Sequence, residues 1–93
     1  MATTVKNVID MINNYLENPN NPLEFSLNLE NILFDLYDQM IQDDKKMTDE
    51  LNENLPEICA EYEQGYDENQ YYQLVKNEII RIENVIWKKL FKI

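Results

Sequence analysis

The residues of this chain with the most chemical potential are carboxylates and tyrosines, and they concentrate in one stretch. Between Glu61 and Tyr72 the sequence reads EYEQGYDENQYY, which holds four acids and four of the six tyrosines. Tyrosine offers a large contact area at a small entropic cost, and neighbouring carboxylates attract arginine and lysine. The stretch is therefore typical of a surface that binds a basic protein. The alternative is that Tyr62 and Tyr71 are core rings with wet hydroxyls, an explanation that fits Tyr66 and Tyr72 less well.

Catalysis and metal binding find little support in the residue types. The chain has no histidine, which removes the commonest general base and the commonest metal ligand. Its single cysteine, Cys59, has no histidine partner and is expected to be a buried, reduced thiol. The acids at Asp43-Asp44 and Asp49-Glu50 lack the ligand spacing and the glycine of an EF-hand loop. We expect no enzyme activity, no catalytic or metal-binding residue and no cofactor.

Length and charge set the class of protein. The 93 residues suffice for a single domain (1–93), and a hydrophobic content of 44% predicts that it folds. Sixteen of the 18 acids lie between Asp10 and Glu68, where only Lys45 and Lys46 are basic. Such a surface disfavours direct contact with nucleic acid or an anionic membrane and favours a basic protein partner, although acidity also serves solubility alone. Neither a membrane span nor a signal peptide is evident, so a cytoplasmic protein is expected.

The elements that must position these residues are helices. One glycine and three prolines leave few tight turns, which favours helices over strands. We predict an all-α fold, an antiparallel four-helix bundle with a central second helix and a short, kinked third helix. The first helix, about residues 4–17, has one apolar stripe. The second begins with a capping box at Asn21-Pro22 and runs to about Gln42. It is so apolar that we expect neighbours to cover all but one polar strip, which includes Asp35 and Asp38.

The second half of the chain should hold the remaining two helices. Pro56 is expected to kink or interrupt the third helix, for which Thr48 is a possible cap. Gly65 should end it, and Asp67 should start a fourth helix of about residues 68–91. Glu78 falls on the apolar stripe of that helix without an evident reason.

A second apolar stripe on the fourth helix contains Ile80, Trp87 and Phe91. We expect the first helix or the chain end to cover it. The alternatives are a dimer contact or part of a binding site.

The order of these features resembles the immunity proteins of the colicin D type, a group that also takes in immunity proteins of contact-dependent growth inhibition systems. The resemblance runs from about Ile9 to Ile86. Its marks are the restart at Pro22-Leu23-Glu24-Phe25, the helix ending at Ala60-Glu61-Tyr62-Glu63, the acidic turn after it, and Leu74-Val75-Lys76 in the last helix. The turn at Gln64-Gly65-Tyr66 and the extra tyrosines depart from the pattern. The resemblance implies a four-helix protein that binds the C-terminal nuclease domain of a toxin with an acidic surface that mimics the nucleic-acid substrate.

The hypothesis from the sequence is a cytoplasmic bacteriocin-type immunity protein, monomeric outside its complex. It would neutralise a basic nuclease toxin, one that cuts tRNA or other RNA, by covering the active-site cleft. We expect eight residues to contact the toxin: Glu61, Glu63, Tyr66, Asp67, Glu68, Tyr72, Asp35 and Asp38. The resemblance supplies the four acids of the corner, interface chemistry supplies the two tyrosines, and helix geometry supplies the two aspartates of the polar strip.

Two alternatives come from other classes. One is an acidic nucleic-acid mimic that inhibits a DNA- or RNA-binding protein, which should space its charges along an extended face rather than crowd them at one end. The other is a structural or regulatory helical homodimer that packs Ile80, Trp87 and Phe91 across a twofold axis. A strict monomer at micromolar concentration would count against the homodimer.

Overall fold

A computed structural model describes the backbone of residues 4–65 and 67–90 and the side chains of residues 4–65 and 67–85. This part of the chain forms helices and no strand, as the all-α prediction requires. The described residues form five helices: α1 (Thr4–Glu17), α2 (Pro22–Asp35), α3 (Tyr37–Asp43), α4 (Lys45–Glu63) and α5 (Glu68–Leu90). None of these helices is long and apolar enough to cross a membrane.

The first helix has the predicted bounds and the predicted one-sided packing. Val5, Val8, Ile12 and Tyr15 are buried, at the three- and four-residue spacing that places them on one face. The first turn of α1 is stabilised by a residue far along the sequence, because the carboxylate of Asp43 accepts a hydrogen bond from the backbone N–H of Val5 at 2.8 Å. This contact ties the start of α1 to the end of α3.

The predicted single second helix is divided in the structure. Leu36, with φ −102° and ψ 11°, leaves the helical range, so α2 ends there and α3 begins at the next residue. The break allows α3 to pack against both α1 and α4. The predicted capping box is also wrong: Asn21 has a left-handed φ of 50° and its side chain caps nothing. Asparagine tolerates this conformation, and its carbonyl still accepts from the N–H of Phe25 at 3.0 Å.

Neighbours do not cover α2 as expected. The buried residues of α2 are Phe25, Ser26, Leu29 and Leu33. The polar strip is exposed as predicted, but so are four large side chains of α2 and α3: Leu23, Leu27, Phe34 and Tyr37. The reason is that α5 packs mainly on α4 and meets α2 only locally, where the ring of Tyr71 contacts that of Phe25. One side of α2 is thus left without a neighbour among the described residues.

The helix that the others surround is α4, which contacts α2, α3 and α5. It is 19 residues long, so the prediction of a short helix is wrong, and it runs through Pro56 without a break, so of the kink and the interruption expected at Pro56 the interruption is wrong. Its cap is Asp44, which accepts from the N–H of Met47 at 3.0 Å, rather than Thr48. Thr48 is buried and donates to the carbonyl of Asp44 at 2.7 Å. Leu51, Leu55 and Cys59 form the fully buried face of α4, as their spacing predicts.

The corner between α4 and α5 follows the predicted signals. Gly65 has φ 125° and its N–H donates to the carbonyl of Tyr62 at 3.0 Å, which closes the last turn of α4. The carboxylate of Asp67 accepts from the N–H groups of Asn69 and Gln70 at 3.0 and 3.2 Å, so Asp67 caps α5.

The inner face of α5 carries Tyr71, Val75, Ile79 and Ile82, all buried. Ile80 is 44% exposed on the other side of the helix, so this part of the second stripe is covered only in part. The side chains of Trp87 and Phe91 lie outside the described residues. What covers the rest of the second stripe therefore stays a prediction.

The buried acid Glu78 is explained by an ion pair. It is only 6% exposed, and its Oε2 lies 2.6 Å from Nη2 of Arg81 one turn later on α5. Arg81 also contacts Glu50 at 3.0 Å, and Asn54 donates to Glu78 from α4. A buried carboxylate with a cation and an amide beside it meets the usual requirement for burying a charge.

Candidate functional site

The four acids expected at the corner point in different directions. Glu61 is half-buried and lines a groove between α4 and α5 that also contains Arg81. Glu63 is exposed but leans toward α2, where its Oε2 accepts a hydrogen bond of 2.8 Å from the hydroxyl of the buried Ser26. Asp67 and Glu68 are exposed at the start of α5. The structure therefore does not gather these acids into one cluster.

The tyrosines of the corner are largely packing residues. Tyr71 is fully buried and stacks on the half-buried ring of Tyr62, with ring centroids 4.3 Å apart. The hydroxyl of Tyr72 donates to the carbonyl of Leu16 at 3.0 Å, which joins α5 to α1. The exposed edge of Tyr72 lines a shallow groove with Glu68. Tyr66 lies outside the described residues, so its expected role as an anchor stays a prediction.

A second acidic region lies between α2, α3 and α4, where the predicted Asp35 and Asp38 are found. These helices enclose a groove of about 360 Å3. Its lining residues are Glu30, Leu33, Phe34, Asp35, Tyr37, Asp38, Asn52 and Pro56. We call it the α2–α4 groove. Phe34 is 83% exposed and Tyr37 is 41% exposed, so two aromatic rings stand in water beside three carboxylates.

Glu30 connects the α2–α4 groove to the corner. Its carboxyl group lies beside that of Glu63 across the α2–α4 contact. Burial, followed by the interaction with the carboxyl group of Glu63, raises the pKa of Glu30 to about 7. An acidic face thus extends from Asp38 and Asp35 through Glu30 to Glu63.

Glu30 was missed from the sequence, although a signal for it was present. Glu30, Phe34 and Asp38 follow one another at four-residue spacing, which places them on one side of a helix. What the spacing does not show is that Glu63 of another helix lies against Glu30.

The acids of this face have no cation among the described residues. The ion pairs there join Lys6 to Asp10, Lys45 to Asp49, Lys46 to Glu50, and Arg81 to both Glu50 and Glu78. None involves Glu30, Asp35, Asp38 or Glu63. Nor does any group of three histidine, cysteine or acidic side chains in the described part of the chain converge as a metal ion would require. Within the described residues, the carboxylates of the face are therefore not paired with a cation.

Cys59 is not placed for nucleophilic chemistry. Its side chain is fully buried, and its Sγ lies 3.4 Å from the hydroxyl of Tyr71. Burial raises the pKa of the Cys59 thiol, which keeps it protonated and unreactive. The prediction of a buried thiol is confirmed.

Comparisons with known proteins found no matching family model, no matching curated protein and no matching solved structure.

Proposed function

We propose that this protein binds and neutralises a basic protein, the nuclease domain of a toxin of the kind that colicin D-type immunity proteins inhibit. The observation that carries the proposal is the face from Asp38 to Glu63, whose carboxylates have no cation of their own within the described chain. A nuclease cleft is lined by arginine and lysine because it binds phosphates, so a carboxylate face is complementary to it.

The mechanism is occlusion. Carboxylates take the places of substrate phosphates on the cationic side chains of the cleft, and the helices behind them exclude the nucleic acid. Charge complementarity speeds the encounter and rejects acidic partners. Neither protein needs a catalytic residue or a cofactor for this activity.

The fold is compatible with that role. We propose that α2 and α3 are two halves of one broken helix, which would give the chain the four-helix order and the antiparallel bundle that the resemblance implies. We place the protein in the cytoplasm, where a nuclease would act, and expect a monomer outside the complex.

Coexpression tests the proposal directly. The protein is expressed together with the basic nuclease domain encoded by the adjacent gene, and survival of the host is measured. We expect survival with the protein and death without it, and a dissociation constant of roughly nanomolar or below for the purified pair. Equal killing in both strains would overturn the proposal.

A charge-matched pair of variants locates the contact. Asp38→Lys with Glu68→Lys changes one exposed acid of the α2–α4 groove and one exposed acid of the corner. Glu53→Lys with Glu83→Lys makes the same change in net charge at two exposed acids elsewhere. The first variant should weaken binding by about 100-fold or more, and the second by less than about tenfold, because only close charges couple strongly. Equal weakening would show that net charge alone drives the association.

A homodimer is the second candidate, because the exposed side of α2 leaves Leu23, Leu27 and Phe34 in water. Sedimentation at about 10 μM distinguishes the homodimer from a monomeric immunity protein. A dimer of 93-residue chains with a dissociation constant of micromolar or lower is already formed at that concentration, whereas a monomer at that concentration counts against the homodimer.

A further inference from the structure

We propose that the α2–α4 groove is the anchor site of the acidic face and that its occupant is an arginine side chain of the basic partner. The identity of the partner rests on the proposed function, whereas the chemistry of the groove stands on its own lining residues.

The aromatic rings are the first reason. Phe34 has 83% of its surface in water and Tyr37 has 41%, although aromatic side chains are more often buried than this in folded proteins. A guanidinium is planar and weakly hydrated, so it stacks on exposed aromatic faces, which a strongly hydrated ammonium does less well. Exposed rings beside acids therefore fit arginine better than lysine.

The arrangement of the carboxylates is the second reason. Glu30, Asp35 and Asp38 line the same groove, and its lining residues include no cation. A guanidinium carries five N–H donors in a fixed fork, which can serve two carboxylates at once. The volume of about 360 Å3 is near the lower end for ligand sites, which suits one long side chain rather than a folded loop.

The contact between Glu30 and Glu63 is the third reason. These two carboxyl groups lie against each other and, within the described residues, have no cation between or beside them. At pH 7 the carboxyl group of Glu30, whose pKa burial raises to about 7, is protonated in about half of the molecules. A guanidinium that enters the groove supplies positive charge next to Glu30 and favours its ionised form, so a proton bound there is released to solvent when arginine binds.

A short peptide tests the groove without any toxin. The isotope-labelled full chain is titrated by NMR with acetyl-Arg-Gly-Arg-amide, with the lysine analogue of equal charge and with the uncharged citrulline analogue. We expect shifts concentrated on the backbone amides of residues 30–38 and 52–55, binding of the arginine peptide about threefold tighter than the lysine peptide, and none with citrulline. Shifts spread evenly over the acidic surface, or equal affinity for arginine and lysine, would overturn the proposal.

Two variants identify the groups responsible. Phe34→Ala should weaken the arginine peptide by about threefold or more. Leu23→Ala, at an exposed apolar residue of the same helix outside the groove, should leave it unchanged. Both side chains are exposed, so both variants should fold, and Asp35→Asn with Asp38→Asn tests the carboxylates without a change of shape. If Phe34→Ala bound the arginine peptide as tightly as the natural chain does, the proposal that Phe34 stacks on the guanidinium would be wrong.

The same variants separate this inference from the proposed function. If the natural chain protects against the toxin and Phe34→Ala binds the toxin domain equally well, the arginine site is wrong and the function stands. If coexpression fails while the arginine peptide still binds in the groove, the function is wrong and the site stands. A dimer that Phe34→Ala dissociates would mean that a second copy covers the groove, which would overturn the assignment to arginine.

Discussion

The hydroxyl of Ser26 on α2 donates a hydrogen bond of 2.8 Å to the carboxylate of Glu63 on α4. Glu30, one turn after Ser26 on α2, faces the same carboxylate and interacts with its negative charge. The pKa of Glu30 rises from 4.5 to about 7 in the folded chain. A raised carboxyl pKa means that the folded state binds the proton more tightly than the unfolded state. The contribution of Glu30 to stability is therefore complete below about pH 4.5 and is lost as the pH rises through about 7.

Glu30→Gln should remove this pH dependence. The amide can donate a hydrogen bond to Glu63 and cannot ionise, so the free energy of unfolding relative to the natural chain should increase from pH 5 to pH 8, by about 1 kcal/mol. Urea unfolding followed by circular dichroism at four pH values measures it. Glu24→Gln, at an exposed acid of the same helix, should show a constant difference. Parallel curves for Glu30→Gln would show that Glu30 takes up no proton in this pH range.

Arg81→Ala should destabilise the fold by about 2 kcal/mol, because it leaves the buried Glu78 without its cation. Lys45→Ala is the control. It removes an exposed pair with Asp49 and should leave the free energy of unfolding almost unchanged in the same measurement.

The double variant Arg81→Ala with Glu78→Leu completes the test. Removing both charges takes away the buried, unpaired carboxylate, so much of the stability should return. A double variant less stable than Arg81→Ala alone would mean that Glu78 stabilises the helices through Asn54 rather than through the ion pair.

Tyr72→Phe should lower stability without lowering affinity. It removes the hydrogen bond from the hydroxyl to the carbonyl of Leu16, worth about 1 kcal/mol, which urea unfolding measures. Affinity for the toxin domain, measured by calorimetry on folded protein, should stay within about twofold, since that hydroxyl already has a partner inside the chain. Tyr37→Phe, at an exposed ring, should leave stability unchanged. If Tyr72→Phe lost affinity while its stability stayed unchanged, Tyr72 would be shown to contact the toxin directly.

Gly65→Ala should cost about 1–2 kcal/mol of unfolding free energy through the backbone alone. Its φ of 125° disfavours an L side chain, whereas an added Cβ would meet nothing within 4 Å. Gln64→Ala, one residue earlier at an ordinary φ of −90°, should change stability by less than about 0.5 kcal/mol. Equal effects of the two variants would show that the corner relaxes around residue 65.

Local signals predicted the local features of the fold. The stripe of α1, the glycine at the end of α4 and the aspartate at the start of α5 each depend on residues within one or two turns, and the structure has all three. The break at Leu36 contains no proline or glycine and depends on how α3 packs against α1 and α4, so no local rule predicts it. Likewise, the apolar content of α2 shows which side chains would gain from burial, but not that α5 would pack elsewhere.

The candidate site divides in the same way. Asp35 and Asp38 were predicted from the periodicity of one helix and they line the groove. Glu30 and Tyr72 take their roles from residues of other helices, Glu63 and Leu16, which are distant in the chain. Pairings of this kind are fixed by tertiary packing, which a single sequence does not display.

Because Cys59 is the only cysteine of the chain, its rate of chemical modification can be used to measure binding. Cys59 lies where three helices meet, with its carbonyl 3.4 Å from the hydroxyl of Ser26 on α2 and its sulfur 3.4 Å from Tyr71 on α5. A thiol reagent can reach it only while those helices are apart, so the rate of modification measures how often the core opens. A partner that binds only the closed form slows that rate in proportion to its occupancy. The rate at which Cys59 is modified therefore reports the affinity of any partner that binds only the closed form, without an added label.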